Sequence, residues 1–169
     1  MHDDEVGTER VHLTFPSTGA RATDCVVNTI RTGHNLLERV QAVCQRHGLT
    51  LSTANILAII EGAGEPLPAH IISARLVITS GAVTQFLDVL EKRGLIQRIP
   101  NPNDRRSILV EITDKGRQLR AGLGPELSEH DQQWMAGLTP DEQTTLLLLL
   151  EKLQGHLTNL EKRMSSPPE

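Results

Sequence analysis

Apolar residues recur along most of the chain at helical spacing, with one central stretch that departs from it. From residue 21 to about 47, Val26, Ile30, Leu37, Val40 and Cys44 are separated by three, four or their sum, which lines up one helix face. At ~1.5 Å per residue this first helix is about 39 Å long, and Gly48 is a common stop. A second, more apolar helix is expected over 50–61, through Ala54, Ile56, Leu57, Ile59 and Ile60, ended by Gly62, Gly64 and Pro66. A short helix over roughly 67–75 follows, then Leu76-Val77-Ile78, then a fresh start at Thr79 or Ser80, either of which can cap. The next helix, about 80–93, puts Val83, Phe86, Leu87 and Leu90 on one stripe, and Gly94 closes it.

The period then changes. Residues 95–99 and 107–112 are β-branched, partly alternating runs. Between them lies Pro100-Asn101-Pro102-Asn103-Asp104-Arg105-Arg106, whose prolines and asparagines are turn chemistry. The pattern predicts a β-hairpin with a basic tip. Thr113 can cap a further helix, which Gly122, Gly124 and Pro125 are expected to interrupt or end before it resumes through Trp134. Thr139-Pro140-Asp141-Glu142 has the residues of a capping box with proline at the first helical position. The final helix is expected to run to about Arg163. Within it Leu146, Leu150, Leu153, Leu157, Leu160 and Met164 are spaced 4, 3, 4, 3, 4, a heptad seam that wants a partner helix.

The fold class expected is mostly α with a small β-hairpin wing (α+β). It is a winged helix-turn-helix over 49–113, flanked by N- and C-terminal dimerisation helices over 21–48 and 114–163. Residues 1–20, polar and without periodicity, are expected to be a mobile arm, and 164–169 a disordered tail.

Composition narrows the function classes. The chain has 169 residues, 38% hydrophobic and 22% charged, as in an ordinary soluble globular protein of one domain or two small lobes. Aromatics are 2%, with no Tyr, which excludes a base-stacking surface for single strands and any site that needs a phenol. Cys25 and Cys44 are too few for a disulfide scaffold and lack Cys-x-x-Cys spacing. On one helix they stand about 28 Å apart, against the roughly 7 Å a disulfide tolerates. An intrachain bond is excluded and an intersubunit one is left open. Seven histidines are scattered without ligand spacing, so neither a metal nor another cofactor is expected. No nucleophilic triad, carboxylate pair or phosphate-cradling glycine loop is present, so the chain is not expected to be an enzyme. The acidic N-terminus leads into no apolar stretch, and the longest apolar run, Leu146 to Leu150, falls far short of a membrane span. A cytoplasmic location with no membrane partner is expected.

The net charge of -4 argues against nucleic acid, but its distribution does not. Residues 75–120 hold nine basic and five acidic side chains, a net of +4, and the remainder carries -8. A basic segment in an acidic chain is either a polyanion footprint or a solvated face. Thr79, Ser80, Thr84 and Gln85, at the start of the helix over 80–93, can reach base edges in a major groove. Arg105 and Arg106 suit a narrow minor groove, with Asp104 able to pair with Arg106 and fix its direction. A two-fold dimer joined through Leu146, Leu150, Leu153, Leu157 and Leu160 sets two reading helices about 34 Å apart and so predicts a near-palindromic site.

The run from Ala82 to Arg98, followed by Asn103-Asp104-Arg105-Arg106 and Ile112-Thr113-Asp114-Lys115-Gly116, resembles the multiple-antibiotic-resistance regulator (MarR) family over about residues 21–163. The resemblance implies a homodimeric bacterial or archaeal transcription factor, usually a repressor, dimerised through its first and last helices. It implies that the helix over 80–93 enters the major groove and that Arg106 enters the minor groove beside Asp104. It also implies a small aromatic or phenolic ligand bound where the dimerisation helices meet the winged domain. Arg31, His34 and His70 are the polar candidates to border that pocket. The expected partners are therefore double-stranded DNA, a second copy of the chain and that ligand. Three departures stand out. Gln85 replaces a common Arg and Val89 lies where a basic residue is usual, so fewer phosphate contacts and a shallower salt dependence are expected. The junction reads Ile112-Thr113 rather than Leu-Thr. Cys25 lies near the reactive cysteine of the organic-hydroperoxide-sensing branch, but that branch uses Tyr partners, which this chain lacks. Two alternatives remain: a winged-helix protein-interaction module without useful DNA affinity, and a thiol-based redox regulator acting through Cys25.

Overall fold

The computed structural model describes residues 20–76, 80–102 and 107–165. Their order is α1 (Arg21–Arg46), α2 (Leu51–Ala63), β1 (Leu67–Pro68), α3 (Ala69–Leu76), α4 (Ser80–Lys92), β2 (Ile96–Pro100), β3 (Ile108–Ile112), α5 (Asp114–Met135) and α6 (Pro140–Ser165). They form two compact units, one up to Leu123 and one from Gly124 onward. The helical fold with a small antiparallel sheet agrees with the sequence expectation. The arm expected before residue 20 and the end of the chain from 166 lie outside the described residues.

Local chemistry sets the helix ends in the first unit. Gly48, Gly64 and Gly94 take positive φ, the left-handed geometry that ends a helix and that a Cβ disfavours. Thr50 caps α2 in a reciprocal box. Its hydroxyl accepts from the Thr53 amide at 3.2 Å, and the Thr53 hydroxyl accepts from the Thr50 amide at 2.9 Å. Thr113 caps α5 one way: its hydroxyl accepts from the Gly116 amide at 3.1 Å and donates to the Gly94 carbonyl at 2.7 Å.

The sheet has three strands, not the two of a bare hairpin. Its order is β1-β3-β2, all antiparallel, with Ile96 opposite Ile112, Arg98 opposite Val110, and Leu67 opposite Val110 on the other side. The sequence pattern places Leu67 and Pro68 at the start of a helix, whereas they form a strand. A strand of two residues shows no period, and Pro68, which has no N–H to donate, suits an edge.

The core lies between α2, α3, α4 and the sheet. Ile56, Leu57, Ile72, Leu90 and Leu95 are each fully buried, and Val83 and Leu87 are 1% exposed. Burial of each such side chain contributes about 1.5–3 kcal/mol. Gly116 is required for this packing, because a Cβ there would stand 2.2 Å from the Leu95 carbonyl oxygen. The wing is thereby seated directly on the first turn of α5.

The break expected near Gly122, Gly124 and Pro125 does not occur. α5 is one helix from Asp114 to Met135 with Pro125 inside it. The proline forfeits the bond to the Ala121 carbonyl, but Leu123, two residues earlier, is fully buried and anchors the chain there. The division between the two units nevertheless falls at Leu123–Gly124, beside that missing bond.

In the second unit the α5–α6 turn is tied by side chains. Gln143 donates to the carbonyls of Met135 at 3.1 Å and Leu138 at 3.0 Å. The expected Thr139–Glu142 capping box is present: the Thr139 amide donates to Glu142 Oε2 at 2.8 Å, and the Glu142 amide to the Thr139 hydroxyl at 3.4 Å. Two backbone donors that the helix itself cannot satisfy are covered in this way. α6 runs to Ser165, slightly past the expected end. Among the described residues no helix is long and apolar enough to cross a membrane.

Candidate nucleic-acid interface

α4 is divided lengthwise. Val83, Leu87 and Leu90 are buried against the core, while Thr84, Gln85 and Lys92 are exposed on the other side and Val89 is 48% exposed. The spacing of 84/85, 88/89 and 92 is the helical repeat, so these positions form one outward row. Ser80 is the first residue of α4. Thr79 and the tip residues Asp104, Arg105 and Arg106 lie outside the described residues.

Two arginines meet α4 and its end. Arg98 on β2 places Nη2 2.7 Å from Asp88 and Nη1 2.6 Å from Glu91. Its pKa is raised above the ordinary value, desolvation being outweighed by hydrogen bonds to Asp88 and Glu91 and by their charge. Arg93, just past the end of α4, donates to the carbonyls of Gly48 and, at 3.3 Å, His47 in the turn that follows α1. Lys115 donates to the Arg93 carbonyl at 2.7 Å. The end of α4 is thus tied both to the α1–α2 turn and to α5.

These contacts change the charge picture. Of the nine basic side chains between 75 and 120, Arg98, Arg117 and Arg120 are ion-paired, with Asp88 and Glu91, with Asp114 at 3.1 Å, and with Glu61 at 3.2 Å. The partners of Arg98 and Arg117 are already counted in the net +4 of that segment, so only the pairing of Arg120 with Glu61, which lies outside it, lowers the positive charge left to meet a polyanion. Sequence reading missed the Arg93 and Arg98 contacts. The only prior signal was the Asp88-x-x-Glu91 spacing, which puts two carboxylates on one helix face without saying what they meet.

The remaining candidate residues are spread along other elements. Arg31 and His34 are exposed on α1 and His70 on α3, and His34 lies 3.4 Å from Glu38. Cys25 is exposed while Cys44 is buried, and burial pushes the Cys44 thiol above its ordinary value. Both cysteines lie on the one unbroken helix α1, so they are too far apart to bond within the chain. Leu146, Leu150, Leu153, Leu157 and Leu160 are all on α6 and all exposed, by 37 to 51%.

The MarR family model matches residues 47–107, from the end of α1 to the second wing strand. The multiple antibiotic resistance protein MarR of Salmonella typhimurium is 36% identical over 109 residues, covering 62% of this chain and 73% of that protein. The HTH-type transcriptional regulator PecS of Dickeya dadantii is 30% identical over 138 residues, covering 79% and 82%. The chain belongs to the MarR family. Among solved structures, a mutant of E. coli MarR complexed with operator DNA superposes with a TM-score of 0.69 at 24% identity, covering 83% of this chain and 99% of that one. The organohalide-sensing regulator RdhR in its 2,4-dichlorophenol-bound form superposes with a TM-score of 0.73 at 19% identity, covering 86% and 88%. Both show that this MarR-family chain shares their fold. Its relatives are transcriptional regulators, and none of these matches points to an enzyme family.

Proposed function

We propose that this MarR-family regulator is a cytoplasmic homodimer that reads a near-palindromic operator in double-stranded DNA, acts as a repressor, and is released by a small aromatic or phenolic ligand. The observation that carries the reading is the division of α4. Its apolar row is consumed by the core, while its Thr84–Gln85 row is left outward at the edge of a sheet whose loop bears Arg105 and Arg106. In this reading 49–113 is the DNA-binding domain. Thr79, Ser80, Thr84 and Gln85 meet base edges, and Asp104, Arg105 and Arg106 form the wing tip. Residues 21–48 and 114–163 form the dimerisation region. The exposed apolar rows of α1 (Val26, Ile30, Leu37) and α6 support it. Arg31, His34 and His70 are the polar candidates to border the ligand pocket, and the 2,4-dichlorophenol-bound form of a relative supports a phenolic ligand without locating it.

A gel-shift titration against the DNA upstream of the coding sequence tests the core of this proposal. Saturable binding that outcompetes random duplex is expected, and Arg106→Ala is expected to weaken it by about 1–3 kcal/mol at fixed salt. Equal affinity for random duplex would leave only a protein-interaction module. Unchanged affinity in Arg106→Ala would remove the wing from recognition.

A further inference from the structure

We propose that Arg98 is a charge-masking, positioning residue for the reading surface: it draws the Asp88 and Glu91 carboxylates of α4 against β2 and offsets half of their charge where they would otherwise face a phosphate backbone. The proposal rests on the DNA reading above. Asp88 belongs to the same outward row as Thr84 and Gln85, and its side chain is 48% exposed. Glu91, one turn on, is 38% exposed. Two carboxylates so close to the base-reading side chains would repel the duplex as α4 approached it. A single guanidinium serves both because its two terminal nitrogens take one carboxylate each, at 2.7 and 2.6 Å. Lysine, a point charge, has no such fork. The position of Arg98 is set by the pairing of β2 with β3, where it stands opposite Val110, and its side chain is only 24% exposed. A mechanical tie is not what α4 lacks. Val83, Leu87 and Leu90 already anchor it in the core, and Arg93 latches its end. What the ion triad adds is the management of charge on the face that meets DNA.

The test compares full-length variants on the tightest duplex that the wild-type chain recovers from a randomised pool, by fluorescence anisotropy over a range of salt. Asp88→Asn with Glu91→Gln removes the repulsion and frees Arg98. Binding should tighten about three- to tenfold, with a steeper salt dependence. A purely mechanical tie predicts the opposite sign, so weaker binding by this pair overturns the proposal. Arg98→Gln unmasks both carboxylates and should bind about tenfold more weakly at low salt, the gap closing as salt screens it. Adding Asp88→Asn and Glu91→Gln to Arg98→Gln should bring affinity back to within about threefold of wild type. A triple variant no better than Arg98→Gln overturns the proposal, as does an Arg98→Gln that matches wild type. The double variant keeps the arginine and the apolar anchors, so the test survives if Arg98→Gln fails to fold. A wild-type chain that recovers no duplex overturns the DNA reading itself, and this inference with it.

Discussion

α4 and α6 use the same residue types at the same helical spacing and end in opposite situations. On α4, Val83, Leu87 and Leu90 are at most 1% exposed. On α6, Leu150, Leu153 and Leu157 are 43 to 51% exposed, and Leu147, Leu148 and Leu149 on its other faces are 58 to 60% exposed. Periodicity reveals which side of a helix wants burial. It does not reveal whether the same chain supplies the cover. α1 shows both outcomes within one element, with Val26 and Ile30 exposed near its start and Val43 and Cys44 buried near its end. A seam of exposed leucines this regular is costly for a lone chain in water, and the proposed dimer would cover it.

Charging the α6 seam attacks the contrast most directly. Leu150→Arg with Leu157→Arg should abolish self-association, because each arginine would be buried unpaired between leucines at about 3–5 kcal/mol apiece. Sedimentation is expected to show a dimer for wild type and a monomer for the variant, with operator affinity lost alongside. A wild type that sediments as a monomer at micromolar concentration removes the dimer from the proposal. Truncating the satisfied stripe comes next in size. Leu87→Ala should cost about 2–5 kcal/mol. That loss should not depend on protein concentration, whereas Leu153→Ala should lower the melting temperature more in dilute than in concentrated solution. Thermal melts of both variants over a hundredfold range of concentration separate the cases. Matching concentration dependence would mean that the two stripes are not different in kind.

The same division explains what was legible beforehand. Helices α1, α2, α4 and α6, the hairpin strands and the Thr113 and Thr139 caps could be read because each is set by neighbours a few residues away. The continuous α5 could not. Gly122, Gly124 and Pro125 are local breakers, and they are overruled by the burial of Leu123, a tertiary fact. β1 could not either, since two residues show no period and exist as a strand only through the Val110 pairing. At the site, Thr84 and Gln85 were legible as the polar side of an amphipathic helix. The roles of Arg93 and Arg98 were not, because Arg93 meets carbonyls 45 residues away in sequence, and Arg98 meets side chains on a separate element. The basic count between 75 and 120 was legible, but how many of those side chains are paired was not. Charge along a chain sums without regard to pairing, and the ion pairs at Arg98, Arg117 and Arg120 form only in the fold.

The smallest expected effect sharpens the comparison at the base of α6. A helix with little buried side chain of its own leans on its termini, so losing the Thr139 cap should be felt there more than at a core helix. Thr139→Ala removes one acceptor for the Glu142 amide and should cost about 1 kcal/mol. The box also carries a pH signature. Hydrogen bonds from the Thr139 amide, and then from its hydroxyl, hold the Glu142 carboxyl below its ordinary pKa. A carboxyl whose folded pKa is depressed contributes stability that is complete above the unfolded-state value. That contribution fades as pH falls through the lowered folded value. Melts of wild type and Glu142→Gln should therefore differ by a constant amount at neutral pH and converge on the acid side of the usual carboxylate range. A difference that persists unchanged into acid would show that the stabilisation comes from the side chain's shape and not from its charge.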